Sequence, residues 1–255
     1  MKIVVVGGTG LIGSKLVSIL SEQGHEAVPA SPHTGINTVT GDGLAAVLTD
    51  AQVIVDVSNS PSFEDQAVMD FFTASTTNLL HYGAKAGVRH LVALSVAGAQ
   101  KLPDSGYLRA KVAQENIIVK GNGAETLPYS IVHATQFFEF WKAIADLSTQ
   151  GGRIHLAPVF VQPMAAGEVA KAVARVSLGA PVNRIVEFAG PDRFRFDEFI
   201  RRGLKATGDS REVVADPNAL YFGGRLSENS LVPAADAELG EVRFDDWLVH
   251  DDLKE

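Results

Sequence analysis

The sequence predicts an α/β protein, a Rossmann-like doubly wound parallel sheet with a small C-terminal substrate lobe. Two observations support this class. A buried strand, a glycine-rich turn and a helix pattern follow one another within residues 1–20. Short apolar runs then alternate with longer helical patterns up to about residue 135, and such alternation is typical of βαβ units with right-handed crossovers.

The first half of the chain is predicted to form the sheet and most of its covering helices. Runs of apolar, β-favouring residues predict strands, which cover residues 3–6, 26–31, 53–57, 91–95 and 129–133. Apolar residues three and four apart predict helices, which follow the glycine turn and cover 63–86 and 107–120. We interpret residues 36–40 as a third short strand and 44–48 as a short helix.

The alternation loosens after residue 135, so we divide the chain into a Rossmann core, 1–135, and a substrate-binding lobe, 136–255. No linker composition separates the two. Within the lobe we predict an aromatic helix from residue 137, strands over 153–156 and 159–161, helices over 168–178 and 196–207, a strand over 184–188 that returns to the sheet, and a turn over 244–249. We expect the lobe to form one wall of a cleft at the carboxyl ends of the parallel strands, where such folds bind ligands.

The composition of the 255-residue chain excludes several classes of function. A formal net charge of -8 leaves no basic excess to neutralise the phosphates of a nucleic acid. The absence of cysteine excludes disulfides, thiolate nucleophiles and cysteine-bound zinc. The seven histidines show no metal-ligand spacing, so no metal is expected. No apolar run is long enough to span a membrane and no leader precedes the first strand, so we expect a cytoplasmic protein.

The opening stretch carries a phosphate-binding signature. Gly7, Gly10 and Gly13 lie between the first strand and the first helix, and Gly8 with Gly10 and Gly13 gives the Gly-x-Gly-x-x-Gly fingerprint. One glycine permits a tight turn, another lets the backbone approach a pyrophosphate, and the third lets helix and strand pack closely. The helix N-terminus adds free N–H groups and a positive dipole end. We predict a bound dinucleotide; the alternative is a glycine-rich turn that serves chain reversal alone.

A second motif combines a serine, a tyrosine and a lysine. Ser95 ends a predicted strand, and Tyr107 and Lys111 lie four residues apart on the next helix, hence on one face. A tyrosine can protonate a carbonyl oxygen as hydride arrives, but its ordinary pKa of about 10 is high for neutral pH. A neighbouring ammonium lowers that pKa, and a serine hydroxyl can orient the same carbonyl. The alternative is an exposed helix face without a chemical role.

These motifs together resemble the short-chain dehydrogenase/reductase superfamily. The residues that carry the resemblance are Val5 to Gly13, Leu94-Ser95, and the Tyr-x-x-x-Lys of Tyr107 and Lys111. The glycine spacing resembles the extended and atypical branches. Similarity to the NmrA-like atypical group of NAD(P)H-binding proteins lies in Ala110-Lys111 with Glu115, in the stretch 128–137 and in the run 186–191. The resemblance spans roughly residues 1 to 200.

The resemblance implies that several residues hold the cofactor. Pyrophosphate contacts would come from Gly7, Gly10 and Gly13 and from the backbone of Thr9, Leu11 and Ile12. The adenine would lie beside Asp42, for which a simple turn aspartate is the alternative. The nicotinamide-side ribose would contact Ser58, Asn59 and Lys111, and the nicotinamide would be flanked by Ala134, Thr135 and Gln136. Gln136 has a second interpretation, as a polar residue at a helix start.

The end of the second predicted strand indicates NADP(H) rather than NAD(H). An NAD site usually carries an acidic residue there to hold the ribose hydroxyls. Ser31 and His33 stand near this position, so no carboxylate repels a 2′-phosphate. The loop has no arginine or lysine to clamp that phosphate; Lys15 is a candidate cation, with a merely solvated lysine as the alternative. His33 is equally an ordinary loop histidine.

The sequence therefore predicts an NADP(H)-dependent oxidoreductase that passes hydride between nicotinamide and a small carbonyl, enone or quinone-like substrate. Tyr107 would be the acid, and Ser95 would orient the carbonyl. Lys111 would lower the pKa of Tyr107 and bind the ribose. One alternative is a non-catalytic, NADP(H)-sensing regulatory protein of the NmrA type. Another is a nucleotide-sugar epimerase or dehydratase, for which the chain is short. We expect a small-molecule substrate as the partner, and a monomer or a homodimer.

Overall fold

The computed structural model describes residues 1–121, 123 and 125–250. Residues 251–255 of the predicted lobe lie outside the described residues. The chain separates into two compact units, each assembled from non-consecutive segments. The first unit contains residues 1–95, 106–133 and 169–186; the second contains 96–105, 134–168 and the residues from 187 onward.

Up to residue 207 the described residues form the predicted strands and helices in order, except over 36–40. They also form short strands over 149–150 and 194–195 and between residues 212 and 239 that we did not predict. The strands are β1 Lys2–Val6, β2 Glu26–Ala30, β3 Val53–Asp56, β4 His90–Val96, β5 Tyr129–Ala134, β6 Thr149–Gln150, β7 Arg153–Leu156, β8 Phe160–Val161, β9 Ile185–Ala189, β10 Phe194–Arg195, β11 Glu212–Ala215, β12 Leu220–Tyr221, β13 Gly224–Arg225 and β14 Glu238–Leu239. The α-helices are α1 Leu11–Glu22, α2 Leu44–Val47, α3 Asp65–Ala86, α4 Gly106–Lys120, α5 Trp141–Leu147, α6 Ala166–Leu178, α7 Phe196–Thr207 and α8 Phe244–His250.

Seven strands form one sheet in the order β14-β9-β5-β4-β3-β1-β2. Pairing is parallel between β1 and both β2 and β3, between β3 and β4, and between β9 and β14. The chain order reverses at β1, because β2 lies on one side of it and β3 begins the other side. This reversal is the switch point at which doubly wound folds bind ligands. The predicted α/β class with a doubly wound parallel sheet is confirmed.

The core of the first unit lies between the sheet and the long helix α3. Val4, Ile54 and Leu91 of adjacent strands are buried together with Leu79 and Leu80 of α3. Each side chain of this kind contributes about 1.5–3 kcal/mol when it is fully buried. The continuous apolar character of the strands follows from burial on both faces of a parallel sheet.

The second unit has an aromatic core. Its members are Phe138, Phe194, Phe199, Phe244 and Trp247, with ring centroids 4.4–6.5 Å apart. Aromatic pairs at these separations add about 0.5–1.5 kcal/mol beyond the burial of their area. The aromatic run after residue 136 therefore serves in part as core, through Phe138.

Two predicted elements are wrong. Residues 36–40 form a turn rather than a strand, because the Asn37 side-chain carbonyl accepts hydrogen bonds from the N–H groups of Val39 and Thr40. Such local bonds compete with strand pairing. The turn expected over 244–249 is the helix α8, since Phe244 and Trp247, three apart, both turn toward the aromatic core. No helix in the described part of the chain is long and apolar enough to cross a membrane.

Candidate active site

The glycine turn between β1 and α1 leaves no room for side chains. Gly7 has a φ of +78°, and its N–H donates to the carbonyl of Ala30 at 2.9 Å. A Cβ on Gly7 would lie 2.8 Å from the Ser58 backbone. A Cβ on Gly13 would lie 2.0 Å from the Gly7 carbonyl oxygen. Helix α1 therefore approaches the turn as closely as the pyrophosphate cradle predicted from the sequence requires.

The N-terminus of α1 is open to an anion. Gly10 is the N-cap, no side chain among the described residues caps the helix, and its first turn carries no acidic residue. Thr9, Gly10 and Leu11 are exposed, whereas Ile12 is buried. The first N–H groups of a helix have no partner within the helix, and the dipole favours negative charge beside them. These residues fit the diphosphate of a dinucleotide.

The turn after β2 places the residues that we predict to choose the cofactor. Ser31 is 6% exposed, and its backbone N–H donates to Thr34 Oγ1 at 2.9 Å. A single 3₁₀ turn, Pro32–Thr34, follows and leaves His33 exposed. This turn contains no carboxylate, so the charge argument for NADP(H) is kept in the folded chain.

Three other predicted cofactor residues have local partners. Asp42 is exposed and accepts a hydrogen bond from Thr40 Oγ1 at 2.6 Å, the arrangement of an ordinary turn aspartate. Ser58 donates from both its N–H and its hydroxyl to Asp56, at 3.0 and 2.6 Å. Asn59 is exposed, and its side-chain oxygen accepts from the N–H of Ser60 at 3.0 Å. Their roles toward a cofactor remain predictions.

The ammonium of Lys111 lies at the centre of a buried polar network. Lys111 is 3% exposed; its Nζ donates to the Leu94 carbonyl oxygen at 2.9 Å and to Gln114 Oε1. Gln114 in turn donates to Asp56 Oδ2 at 2.9 Å. The Phe72 ring lies 4.3 Å from Nζ. Burial lowers the pKa of Lys111 to about 8, against the attraction of Asp56 and Glu115.

Ser95, on β4, belongs to a second group of hydrogen bonds, which is centred on Glu115 of α4. Its hydroxyl donates to Glu115 Oε1 at 2.5 Å. His133 Nε2 lies 2.8 Å from the same oxygen, and the His133 side chain is 1% exposed. Burial raises the pKa of Glu115, but the bonds from His133 and Ser95 and the charge of Lys111 outweigh it, so the net shift is downward. Glu115 is therefore a carboxylate at neutral pH, and Ser95 keeps its oxygen lone pairs for other donors.

Tyr107 does not have the tuned pKa that the sequence predicts. Its ring packs 5.6 Å from that of Phe63 and 6.2 Å from that of Phe72. Burial raises the pKa of Tyr107 to about 12. Lys111 was expected to lower that pKa, and this expectation is wrong, because the ammonium is directed to Leu94, Gln114 and Phe72. Tyr107 is thus a proton donor at neutral pH and not a base.

The remaining predicted residues, Ala134, Thr135 and Gln136, end or follow β5 and belong to the second unit. Ala134 and Thr135 are buried, and Thr135 Oγ1 donates to the Gln162 carbonyl oxygen at 2.6 Å. Gln136 is 7% exposed. Their predicted contact with nicotinamide remains a prediction.

Sequence reasoning assigned no role to four side chains of these two hydrogen-bond groups, Asp56, Gln114, Glu115 and His133. Gln114 and Glu115 follow Lys111 by three and four residues, a spacing that puts side chains on one helix face. Asp56 ends β3 and His133 comes one residue before the end of β5. A polar residue at or near the carboxyl end of β3, β4 and β5 was the available signal. Among the residues that the structure describes, no cluster of three or more His, Asp or Glu could hold a metal ion.

Comparisons with known proteins agree with this architecture. No protein-family model matches the chain. It is similar to a 3-beta-hydroxysteroid dehydrogenase of Mycolicibacterium neoaurum, with 26% identity over 155 residues, 51% of this chain and 37% of the relative. It is also similar to the photosystem II assembly factor Ycf39 of Synechocystis sp., with 23% identity over 153 residues, 54% of this chain and 46% of the relative. The match therefore spans less than half the length of either curated relative.

A solved structure shows the same fold over nearly the whole chain. It is a short-chain dehydrogenase/reductase superfamily protein from Agrobacterium tumefaciens with bound NAD, at a TM-score of 0.72 and 14% identity, and the alignment covers 98% of this chain and 95% of that one. At this identity the likeness shows the fold alone. The fold is thus one that binds NAD in that superfamily protein, while the NmrA-like group stays a prediction.

The cradle can be tested at Gly13. In Gly13→Ala the new Cβ would meet the Gly7 carbonyl oxygen at 2.0 Å, so turn and helix must move apart. We expect NADPH affinity, measured by fluorescence titration, to fall about tenfold or more, since the close approach to the pyrophosphate is lost. Gly167→Ala is the control, because its Cβ meets nothing within 4 Å. A folded Gly13→Ala that binds NADPH like the wild type would contradict the cradle.

Proposed function

We propose that the chain is an NADP(H)-dependent oxidoreductase of the short-chain dehydrogenase/reductase type. Its substrate would be a small carbonyl, enone or quinone-like compound. The observation that carries the proposal is the first unit's combination of an open, glycine-lined helix N-terminus with a buried Lys111 beside the end of β4. The dehydrogenase among the curated relatives supports the same class of activity.

The cofactor would be held by the glycine turn and the polar strand ends. The backbone of residues 9–13 would bind the pyrophosphate, and Lys111 and Ser58 would bind the nicotinamide-side ribose. When bound, the cofactor would supply or accept hydride at nicotinamide C4. Lys111 is fixed by bonds to Leu94 and Gln114, so little side-chain ordering would accompany binding.

Tyr107 and Ser95 would handle the proton at the substrate oxygen. Tyr107, with a pKa of about 12, carries its proton at neutral pH and would donate it as the carbonyl oxygen gains charge. Ser95 already donates to Glu115, so its oxygen would accept a hydrogen bond from the hydroxyl that forms. This assignment favours the reductive direction, because oxidation of an alcohol would need Tyr107 as a base.

The turn after β2 supports the proposed choice of NADP(H). A carboxylate there would repel a 2′-phosphate and hold the free ribose hydroxyls instead. The solved structure with the same fold contains NAD, so the proposed preference for NADP(H) rests only on the residues of this turn. Ser31 would donate its hydroxyl to the phosphate, and exposed His33 would lie beside it.

Ser31→Asp tests that choice. The new carboxylate should lower NADPH affinity about tenfold or more and leave NADH affinity equal or higher, because it repels only the phosphate. Fluorescence titrations with both cofactors measure the change. Ser31→Asn is the control, since it introduces a side chain of the same size as aspartate without the charge. Tighter binding of NADH than of NADPH by the wild type would contradict the proposal.

A second candidate function is a non-catalytic NADP(H) sensor. The observation that favours it is the Tyr107 pKa, which burial raises instead of a lysine lowering it. The assembly factor among the curated relatives also carries a name that denotes no reaction. Such a protein would bind NADP(H) through the same cradle and signal to a protein partner. Whether NADPH is consumed distinguishes the two candidates.

NADPH oxidation over a panel of quinones, aldehydes, enones and ketones separates the two functions. The enzyme proposal expects turnover with at least one class, and in Tyr107→Phe a fall in kcat of about 10²–10⁴ with unchanged NADPH affinity, because the proton donor is lost. Tyr129→Phe, at the opposite end of β5 from residue 134, should retain wild-type activity. If the wild type binds NADPH tightly and oxidises it with no member of the panel, the enzyme proposal fails and the sensor is favoured.

A further inference from the structure

The backbone around Gln136 is fixed on both sides. Its carbonyl oxygen accepts from the N–H of Met164 at 2.8 Å, and the next residue forms a parallel bridge with Met164. Thr135, just before it, donates from its N–H to the Phe188 carbonyl oxygen at 3.2 Å and from its hydroxyl to the Gln162 carbonyl oxygen at 2.6 Å. The backbone that carries the Gln136 side chain is therefore hydrogen-bonded to two other segments of the second unit.

The side-chain amide of Gln136 is buried and makes no hydrogen bond to the described residues. Gln136 is 7% exposed, and neither its Nε2 nor its Oε1 has a hydrogen-bond partner among the described residues. Gln162, in the segment that pairs with it, differs: its Nε2 donates to the Gly190 carbonyl oxygen at 2.9 Å. A buried polar group without a partner destabilises a fold, and such groups are rare. Within one segment pair, one amide thus supports the fold and the other does not.

We propose that the Gln136 amide is a substrate-recognition group, which binds a substrate carrying a hydrogen-bond donor and acceptor side by side. An amide offers one donor group and one acceptor in a single plane. The chemical class that satisfies both is a carboxamide, a protonated carboxylic acid or a cyclic amide. The assignment to the substrate, rather than to another ligand, rests on the proposed oxidoreductase function.

Physical chemistry gives this arrangement a reason. A site built to hydrogen-bond a ligand rejects an analogue that lacks the matching group, because the buried polar atoms then stay unpaired. An apolar residue at position 136 would make the free protein more stable but remove the discrimination. Gln136 therefore lowers the stability of the free protein in exchange for substrate discrimination. Gln162 stabilises the fold through its bond to Gly190.

Gln136→Met and Gln162→Met form a matched pair for the test. Benzamide and acetophenone are the probes, since they share an aromatic ring and a carbonyl and only benzamide adds the N–H donor. Binding is measured by NMR titration with and without saturating NADPH, and unfolding by thermal melts. We expect the wild type to bind benzamide about tenfold more tightly than acetophenone.

The two variants should differ in both probe preference and melting temperature. Gln136→Met should lose the preference for benzamide and melt about 2–4 °C higher than the wild type. Gln162→Met should melt lower, because the Gly190 carbonyl loses its donor, and keep the preference. Unchanged preference in Gln136→Met overturns the proposal, as does a wild type that binds neither probe more tightly than the other.

A separate result would assign the amide to the cofactor. If Gln136→Met weakens NADPH binding about tenfold while the probe preference stays, the amide serves the nicotinamide and the substrate proposal is overturned. Failure of the oxidoreductase function looks different: the wild type then fails to bind or to oxidise NADPH, whereas the probe titration without NADPH still reports on Gln136.

Discussion

The burial of the Lys111 ammonium is the constraint on which the candidate site depends. An unpaired charge in a protein interior is strongly destabilising, and Lys111 is 3% exposed. The Leu94 carbonyl, the Gln114 amide and, at longer range, Asp56 and Glu115 compensate for it. These partners lie on β3, β4 and α4, so the charge fixes the helix against the carboxyl ends of two inner strands. Because the ammonium donates its hydrogen bonds to these partners, it is not available to lower the pKa of Tyr107.

The glycine turn imposes a second, steric constraint in the same unit. Gly7 approaches the backbone of Ser58 after β3, and Gly13 approaches the Gly7 carbonyl, so β1, β3 and α1 meet without side chains between them. Ser58 is itself held by Asp56, which also accepts from Gln114 of the Lys111 network. Asp56 therefore connects the polar network with the strand end that faces the turn. A phosphate cradle and a buried cation in one connected framework suit a bound dinucleotide.

The sequence predicted what depends on local pattern and missed what depends on partner choice. Apolar runs identified the inner strands, and the glycine spacing identified the turn, because burial and chain geometry act on single segments. The partners of Lys111 could not be predicted, since the two acceptors within 3 Å, the Leu94 carbonyl and Gln114, compete with Tyr107 only in the folded chain. Residues 36–40 were mistaken for a strand because the Asn37 side chain captures its neighbours' N–H groups. The helical spacing of Phe244 and Trp247 was present in the sequence and was overlooked.

We propose that Lys111, buried and held by its partners before the cofactor arrives, belongs to the NADP(H) site. The decisive measurement follows the Lys111 Nζ signal by NMR over a pH titration, with and without NADPH, and uses Lys111→Met to assign the signal. We expect titration near pH 8 in the free protein and a change in both the chemical shift and the pKa when NADPH binds. A signal that titrates near the ordinary lysine value of about 10.4 and does not respond to NADPH would contradict it.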